Sequence, residues 1–277
     1  MSRHFCNVMK KPQLSTLNHQ YQRTVNTLIP YEIYLKYSTQ KDTSTIQLQK
    51  IFSRFKNNNN QIKLLDVGSG DGSYLLQSLP KDNHFEITFL EPAKDLFNKL
   101  EKNIQEHNNC KAINKTFEDF YAESKNKFDI ILASHLYHFP EDEYSIFLSQ
   151  LISLLEDSGT LIWIERGVDE VTDFKTRFKR KLRPDRYPEN WEPRYYKKAL
   201  DILKEESDST EIIFNESELR FPYEENFDEV IALVEFYLNI DWVSIPTDIQ
   251  NEILEYIKDK GGILKEEEGI IIFKKEL

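Results

Sequence analysis

Three of the chain's eight glycines crowd into Asp66-Val67-Gly68-Ser69-Gly70-Asp71-Gly72. An apolar run at residues 62–67 feeds into them, and a helix is expected at 73–79. Glycines at a strand-to-helix turn let the backbone bend tightly and approach a ligand closely, beside the open N–H groups of a helix N-terminus. A turn without a ligand is the plain alternative. A dinucleotide site calls for G-x-G-x-x-G. Here the third glycine follows after one residue, G-x-G-x-G, and Asp66 ahead of the first also departs from that pattern. Glu91 ends the next apolar run, where a carboxylate can accept hydrogen bonds from both hydroxyls of a ribose. A second reactive group follows the run at 128–133, with Ser134, His135, Tyr137 and His138 in succession or nearly so. Imidazoles are suited to accepting a proton near neutral pH.

Positioning these groups requires alternating elements. Strands are expected at 62–67, 84–90, 111–114, 128–133 and 160–164, with helices at 73–79, 93–105 and 141–155 and a turn at Ser158-Gly159. Short apolar runs alternating with helical segments predict a parallel sheet with helices on both faces, whose ligands bind beyond the strand C-termini. Ahead of this lies a helical stretch at 21–55, which Pro30 is expected to divide in two. After residue 165 come a basic stretch at 175–186, helices at 194–206, 226–238 and 248–258, a strand-like segment at 210–222 and a last strand at 269–273.

Residues 64–73 resemble the first motif of class I S-adenosylmethionine-dependent methyltransferases, and the resemblance continues to residue 165. It implies an α/β fold, a doubly wound, seven-stranded, mostly parallel Rossmann-like sheet. An N-terminal helical lid would occupy 1–56 and the core 57–277, with 166–209 as a substrate-side insertion after the fifth strand. The implied cofactor is S-adenosylmethionine. Asp66, Gly68, Ser69, Gly70, Glu91, Pro92 and Ser134 would hold it, together with Thr116, Phe117 and Glu118 of the adenine-side loop. Phe117 would contact the adenine; Glu118 would accept from its exocyclic amine or serve as a helix N-terminal charge. No metal is implied.

For the acceptor, His135 is the first choice for a base or orienting group, His138 is a packing or capping candidate, and a structural role for both is the alternative. Tyr21, Tyr31, Tyr34 and Tyr37 could close over the pocket, Tyr34 and Tyr37 sharing a helix face; packing against the core is the alternative. Tyr37 is also a catalytic candidate, and Gln40, Tyr137 and Trp191 are expected to line the acceptor site. Residues 31–40 with the core and the acidic C-terminal end are similar in layout to histamine N-methyltransferase. That family carries an acid at the position of Gln40, which puts histamine itself in doubt. Glu266, Glu267 and Glu268 could supply a substitute, but a solvated run is the expected reading.

A formal net charge of −11 disfavours a nucleic-acid substrate, since it does not attract phosphate backbones over the whole surface. The 175–186 stretch leaves a tRNA or protein acceptor open as the alternative to a small molecule modified on nitrogen or oxygen. A non-catalytic binding subunit and a nucleotide-dependent oxidoreductase complete the set. Cys6 and Cys110 lack metal-ligand spacing and suit a reducing compartment. No run is long enough to span a bilayer, and residues 1–11 lack a signal-peptide core, so a cytoplasmic location is expected. Oligomeric state is not legible.

Overall fold

A computed structural model describes residues 28–55, 61–80, 84–136, 143–193 and 195–276. Its centre is a seven-stranded sheet in the order β3-β2-β1-β4-β5-β7-β6. The strands are β1 (Ile62–Val67), β2 (Phe85–Leu90), β3 (Cys110–Ile113), β4 (Phe128–Ser134), β5 (Leu155–Arg166), β6 (Thr210–Arg220) and β7 (Ile263–Lys274). The first five run parallel, while β7 is antiparallel to both β5 and β6. Strands covered on both faces read as nearly continuous apolar runs, as the 128–133 run does.

The side-chain period of two sorts each strand between two cores. Ile131 and Ala133 of β4 join Leu65, Val67, Leu161, Trp163, Ile271 and Phe273 on one face. Helices α5 (Phe117–Glu123), α6 (Tyr144–Ser153) and α8 (Tyr196–Glu206) cover it. Ile130 and Leu132 point the other way, with Leu64, Ile87, Phe89, Ile162 and Ile270. There the cover is α2 (Gln40–Phe52), α3 (Ser73–Ser78) and α4 (Lys94–Asn103).

A third core sits beyond the sheet's edge. Helices α1 (Leu28–Tyr37), α7 (Glu170–Leu182), α9 (Phe227–Leu238) and α10 (Thr247–Asp259) pack around Tyr34, Phe174, Phe178, Leu219, Val234 and Leu264. Their support is the end of the β6–β7 ribbon, which runs past the last β5 pairing at Arg166 and Glu268. Of the 166–209 stretch, α7 therefore joins this cap, whereas α8 covers the sheet.

Three boundaries differ from expectation. The break between the first two helices lies at Ser38-Thr39, where Ser38 bridges to Leu219 of the edge strand. Pro30 instead sits third in α1, in a first turn where its missing N–H forfeits no intrahelical bond. The Ser158-Gly159 turn is absorbed into β5 as an irregularity, with Ser158 at φ +63° and the β4 register shifting beside it. Finally, β7 begins six residues before the expected 269, because residues 263–268 pair along β6 despite their three consecutive glutamates.

Candidate active site

The strand order reverses between β1 and β4, so the crevice where ligands bind in such sheets opens at their C-termini. At β1 the chain turns through Gly68 (φ +70°), Gly70 (φ +60°) and Gly72 (φ +75°). Gly68 N–H donates to the Leu90 carbonyl at 2.8 Å, and a Cβ there would stand 2.4 Å from Leu136 Cδ2. At Gly72 a Cβ would meet Leu100 Cδ1 at 2.5 Å, so the third glycine answers to helix packing. Ser69 Oγ donates to the Asp66 carbonyl at 2.8 Å, closing the turn.

Two buried carboxylates flank this turn. Glu91 at the end of β2 accepts from Gly70 N–H at 2.8 Å through Oε2 and from Ala93 N–H at 2.7 Å through Oε1. Asp66 is 5% exposed and Glu91 4%. Burial, and after it the Glu91 charge, pushes Asp66 up to about 8. Burial likewise pushes Glu91 up to about 7, against the pull of its two backbone N–H partners. Such a pair is short of positive charge. The residues therefore fit S-adenosylmethionine, which carries an ammonium and a sulfonium. Glu91 retains lone pairs for ribose hydroxyls beyond its two backbone bonds. Pro92 follows, half-buried, its carbonyl accepting from Asn114 Nδ2 at 3.0 Å.

In the loop after β3, Thr116 caps α5, its hydroxyl accepting from Asp119 N–H at 3.2 Å. Phe117 is buried, with its ring 4.6 Å from Phe147 and 5.9 Å from Tyr121. Glu118 is exposed in the first turn of α5, the placement of a helix N-terminal charge.

The other side of the crevice begins where β4 ends, with Ser134 and then His135 in the left-handed region at φ +52°. His135 N–H donates to the Ile164 carbonyl at 2.9 Å, tying this turn to β5. Its Nε2 lies 2.5 Å from Glu268 Oε1, and Glu268 Oε2 accepts from Asn215 Nδ2 at 2.8 Å. Next along β7, Glu266 accepts from Arg166 at 3.1 Å, Tyr237 at 3.2 Å and Ser38 at 2.5 Å. Glu165, at the end of β5, accepts from Tyr144 at 2.6 Å and Trp163 at 3.1 Å. Glu266 and Glu268 are 1% and 0% exposed, which corrects the reading of a solvated run. They fall in step with Leu264 and Ile270 on a strand whose inner face is covered. That alternation was the available signal. Glu165, Arg166, Asn215 and Tyr144 carry no motif of their own.

The helices lean on this network. Tyr34 is buried; its hydroxyl donates to Gln40 Oε1, while Gln40 Nε2 is buried without a hydrogen-bond partner. The Tyr34 ring stacks on Phe236 at 5.1 Å. Lys41 Nζ donates to Ser73 Oγ at 3.0 Å and Tyr74 to Ser44 at 2.9 Å, so α2 braces the helix that follows the glycines. Tyr37 is placed differently, donating at 2.5 Å to Glu229 on α9 within the cap. Trp191 packs on Tyr187 at 4.8 Å, and its carbonyl accepts from Arg180. Tyr21, Tyr137 and His138 lie outside the described residues.

Residues 64–159 match the methyltransferase-domain family. Those residues carry a methyltransferase domain. The match covers the glycine turn, Glu91, the loop after β3 and the end of β4. The glycine turn, Asp66 and Glu91 of that domain fit S-adenosylmethionine as its methyl donor. Among solved structures, YcgJ of Bacillus subtilis is similar, with 13% identity and a TM-score of 0.53 over 84% of this chain and 99% of that one. A Galdieria sulphuraria protein, provisionally named a sarcosine dimethylglycine methyltransferase, shares 14% identity at a TM-score of 0.50, covering 84% and 85%. These likenesses show the methyltransferase fold. No curated protein sequence matches the chain. No helix among the described residues is long and apolar enough to cross a membrane.

Proposed function

We propose that this methyltransferase transfers its methyl group to a nitrogen or oxygen of a small-molecule acceptor in the cytoplasm. The carrying observation is His135, placed at the end of β4 beside the donor turn and held by Glu268 at 2.5 Å. S-adenosylmethionine supplies, when bound, a methyl group already activated on a sulfonium. The chain's own work is then to position the acceptor, exclude water and remove a proton. In this reading His135 takes the proton from the acceptor's N–H or O–H. Tyr34 and Gln40 form the wall on the side of α1 and α2.

The basic stretch supports a small acceptor over a nucleic acid. Arg177 and Lys181 both pair with Glu252 of α10, at 2.8 and 2.5 Å. Arg183 donates to the Asn239 carbonyl at 2.9 Å and Arg180 to that of Trp191. These cations tie α7 to its neighbours, which leaves fewer of them to neutralise phosphates.

The test is transfer of a labelled methyl group to three acceptor panels: small amines and phenols, bulk tRNA, and denatured protein. Label in the small-molecule panel, lost on His135→Ala while S-adenosylhomocysteine still binds, is the expected result. Label confined to tRNA or protein overturns the assignment of the acceptor.

A further inference from the structure

Helix α7 puts its cations to two uses. Arg177 and Lys181 pair with Glu252, on the side turned to α10. Lys175 and Lys179 stand one turn apart on another side, flanked at the same spacing by Thr176 and Arg180. Among the described residues, no hydrogen bond or ion pair engages either lysine ammonium. Lys179 Nζ lies 5.7 Å from the centre of the Tyr187 ring. Thr176 Oγ1 and Arg180 Nε are both buried without a hydrogen-bond partner. The far end of the Arg180 guanidinium holds the Trp191 carbonyl, and Trp191 packs on Tyr187, which fastens the 187–191 segment beside this part of the helix.

Lysine ammonium and guanidinium groups can only donate, and a buried donor without an acceptor costs free energy. Burial, then the Arg166 and Lys179 charges, holds the Lys175 amine well below the ordinary lysine range, against the pull of Asp169 and Glu266. Arg166 engages both of those carboxylates. Burial, then Arg186 and Arg183, brings Lys179 down to about 8. Helix α7 starts just after β5 ends at Arg166, and β5 lies beside β4, whose end leads into His135. Its first turns therefore stand at the crevice end of the sheet.

We propose that Lys175, Thr176, Lys179 and Arg180 bind an anionic group, a carboxylate or a phosphate, carried by the methyl acceptor. This rests on the reading of the acceptor as a small molecule. The oxygens of such a group can accept from all four side chains, and its charge offsets that of the two lysines. A polynucleotide backbone would call for a longer row of free cations, whereas Arg177, Lys181 and Arg183 are engaged elsewhere.

Carbon–proton spectra of the lysine Cε groups follow both amines in the full chain loaded with S-adenosylhomocysteine. Each signal is assigned by its loss in Lys175→Met or Lys179→Met. Benzoate and inorganic phosphate are titrated separately, with chloride holding the ionic strength constant. Saturable shifts at both lysines with either anion are expected, and the anion that saturates first separates a carboxylate from a phosphate. Affinity should fall at least about tenfold in either variant, the loss of one charge-assisted hydrogen bond. No saturable shift in the wild type overturns the proposal whether or not the variants fold. Undiminished affinity in variants that still bind S-adenosylhomocysteine also overturns it. Labelled methyl should then pass to para-hydroxybenzoate or para-aminobenzoate in preference to phenol or aniline. Equal or better use of the uncharged partners overturns the assignment of the site to the acceptor. Saturable anion binding in a chain that methylates none of the small acceptors would sink the functional reading and leave the anion site standing.

Discussion

The Glu91 carboxylate reaches from the end of β2 to the turn after β1 and takes the Gly70 N–H at 2.8 Å, with Ala93 N–H on its other oxygen at 2.7 Å. One side chain thus joins the turn after β1 to the end of β2. Glu91→Gln replaces one acceptor with an NH2 group that must face a backbone donor. A buried donor left unsatisfied costs about 1–3 kcal/mol. Titration calorimetry should show S-adenosylhomocysteine affinity falling at least about tenfold in Glu91→Gln and further in Glu91→Ala, by the same arithmetic of about 1.4 kcal/mol per decade. Unchanged affinity in both would remove Glu91 from the donor site.

The outer glycines of the turn fail in different ways. Gly68→Arg places a side chain at a left-handed position against Leu136, in the space the donor would use. The expectation is a folded chain whose thermal midpoint no longer rises with added S-adenosylhomocysteine. Gly72→Ala instead drives a methyl group into Leu100, packed on Phe89. Overpacking of this kind costs about 1–3 kcal/mol, read by chemical denaturation.

Asp66 at about 8 and Glu91 at about 7 predict proton-linked donor binding. A cationic ligand favours the ionised pair, so S-adenosylmethionine affinity should weaken as pH falls through that window. Binding near neutrality should release protons, seen as a calorimetric enthalpy that depends on the buffer. Stability of the free protein runs the opposite way. Both groups hold protons more tightly folded than unfolded, so their contribution to stability is present in full below the ordinary carboxylate range near 4 and is lost as pH rises from there to about 7 to 8. Asp66→Asn should flatten both dependences; an undiminished slope in that variant would place the titrating group elsewhere.

Arg166 is nearly buried between two carboxylates, Glu266 at 3.1 Å and Asp169 at 3.2 Å. Arg166→Met removes the guanidinium from both, and breaking a buried pair from one side costs about 3–5 kcal/mol. Restoring apolar balance with Glu266→Leu in the same chain should recover part of that loss. Equal midpoints for Arg166→Met and the wild type would show the pair to be energetically idle.

Much was determined by the sequence alone. Runs such as 62–67 and 128–133 read as strands buried on both faces, because they are short, largely apolar and bounded by turn residues. The three glycines, Glu91 and the His135 turn could be placed because each directly follows such a run, and order along the chain fixes position at a strand end. Tertiary structure decided the rest, because those features depend on which distant segments become neighbours. Glu266 and Glu268 look like a solvated charge run until β7 is inserted antiparallel between β5 and β6. Only that pairing buries them beside Arg166 and His135. The cations of 175–186 look free until Glu252 and Asn239 arrive from segments more than fifty residues away. Local pattern reports which faces are apolar, whereas a charge's partner is a matter of topology, and so His135 was legible and Glu268 was not.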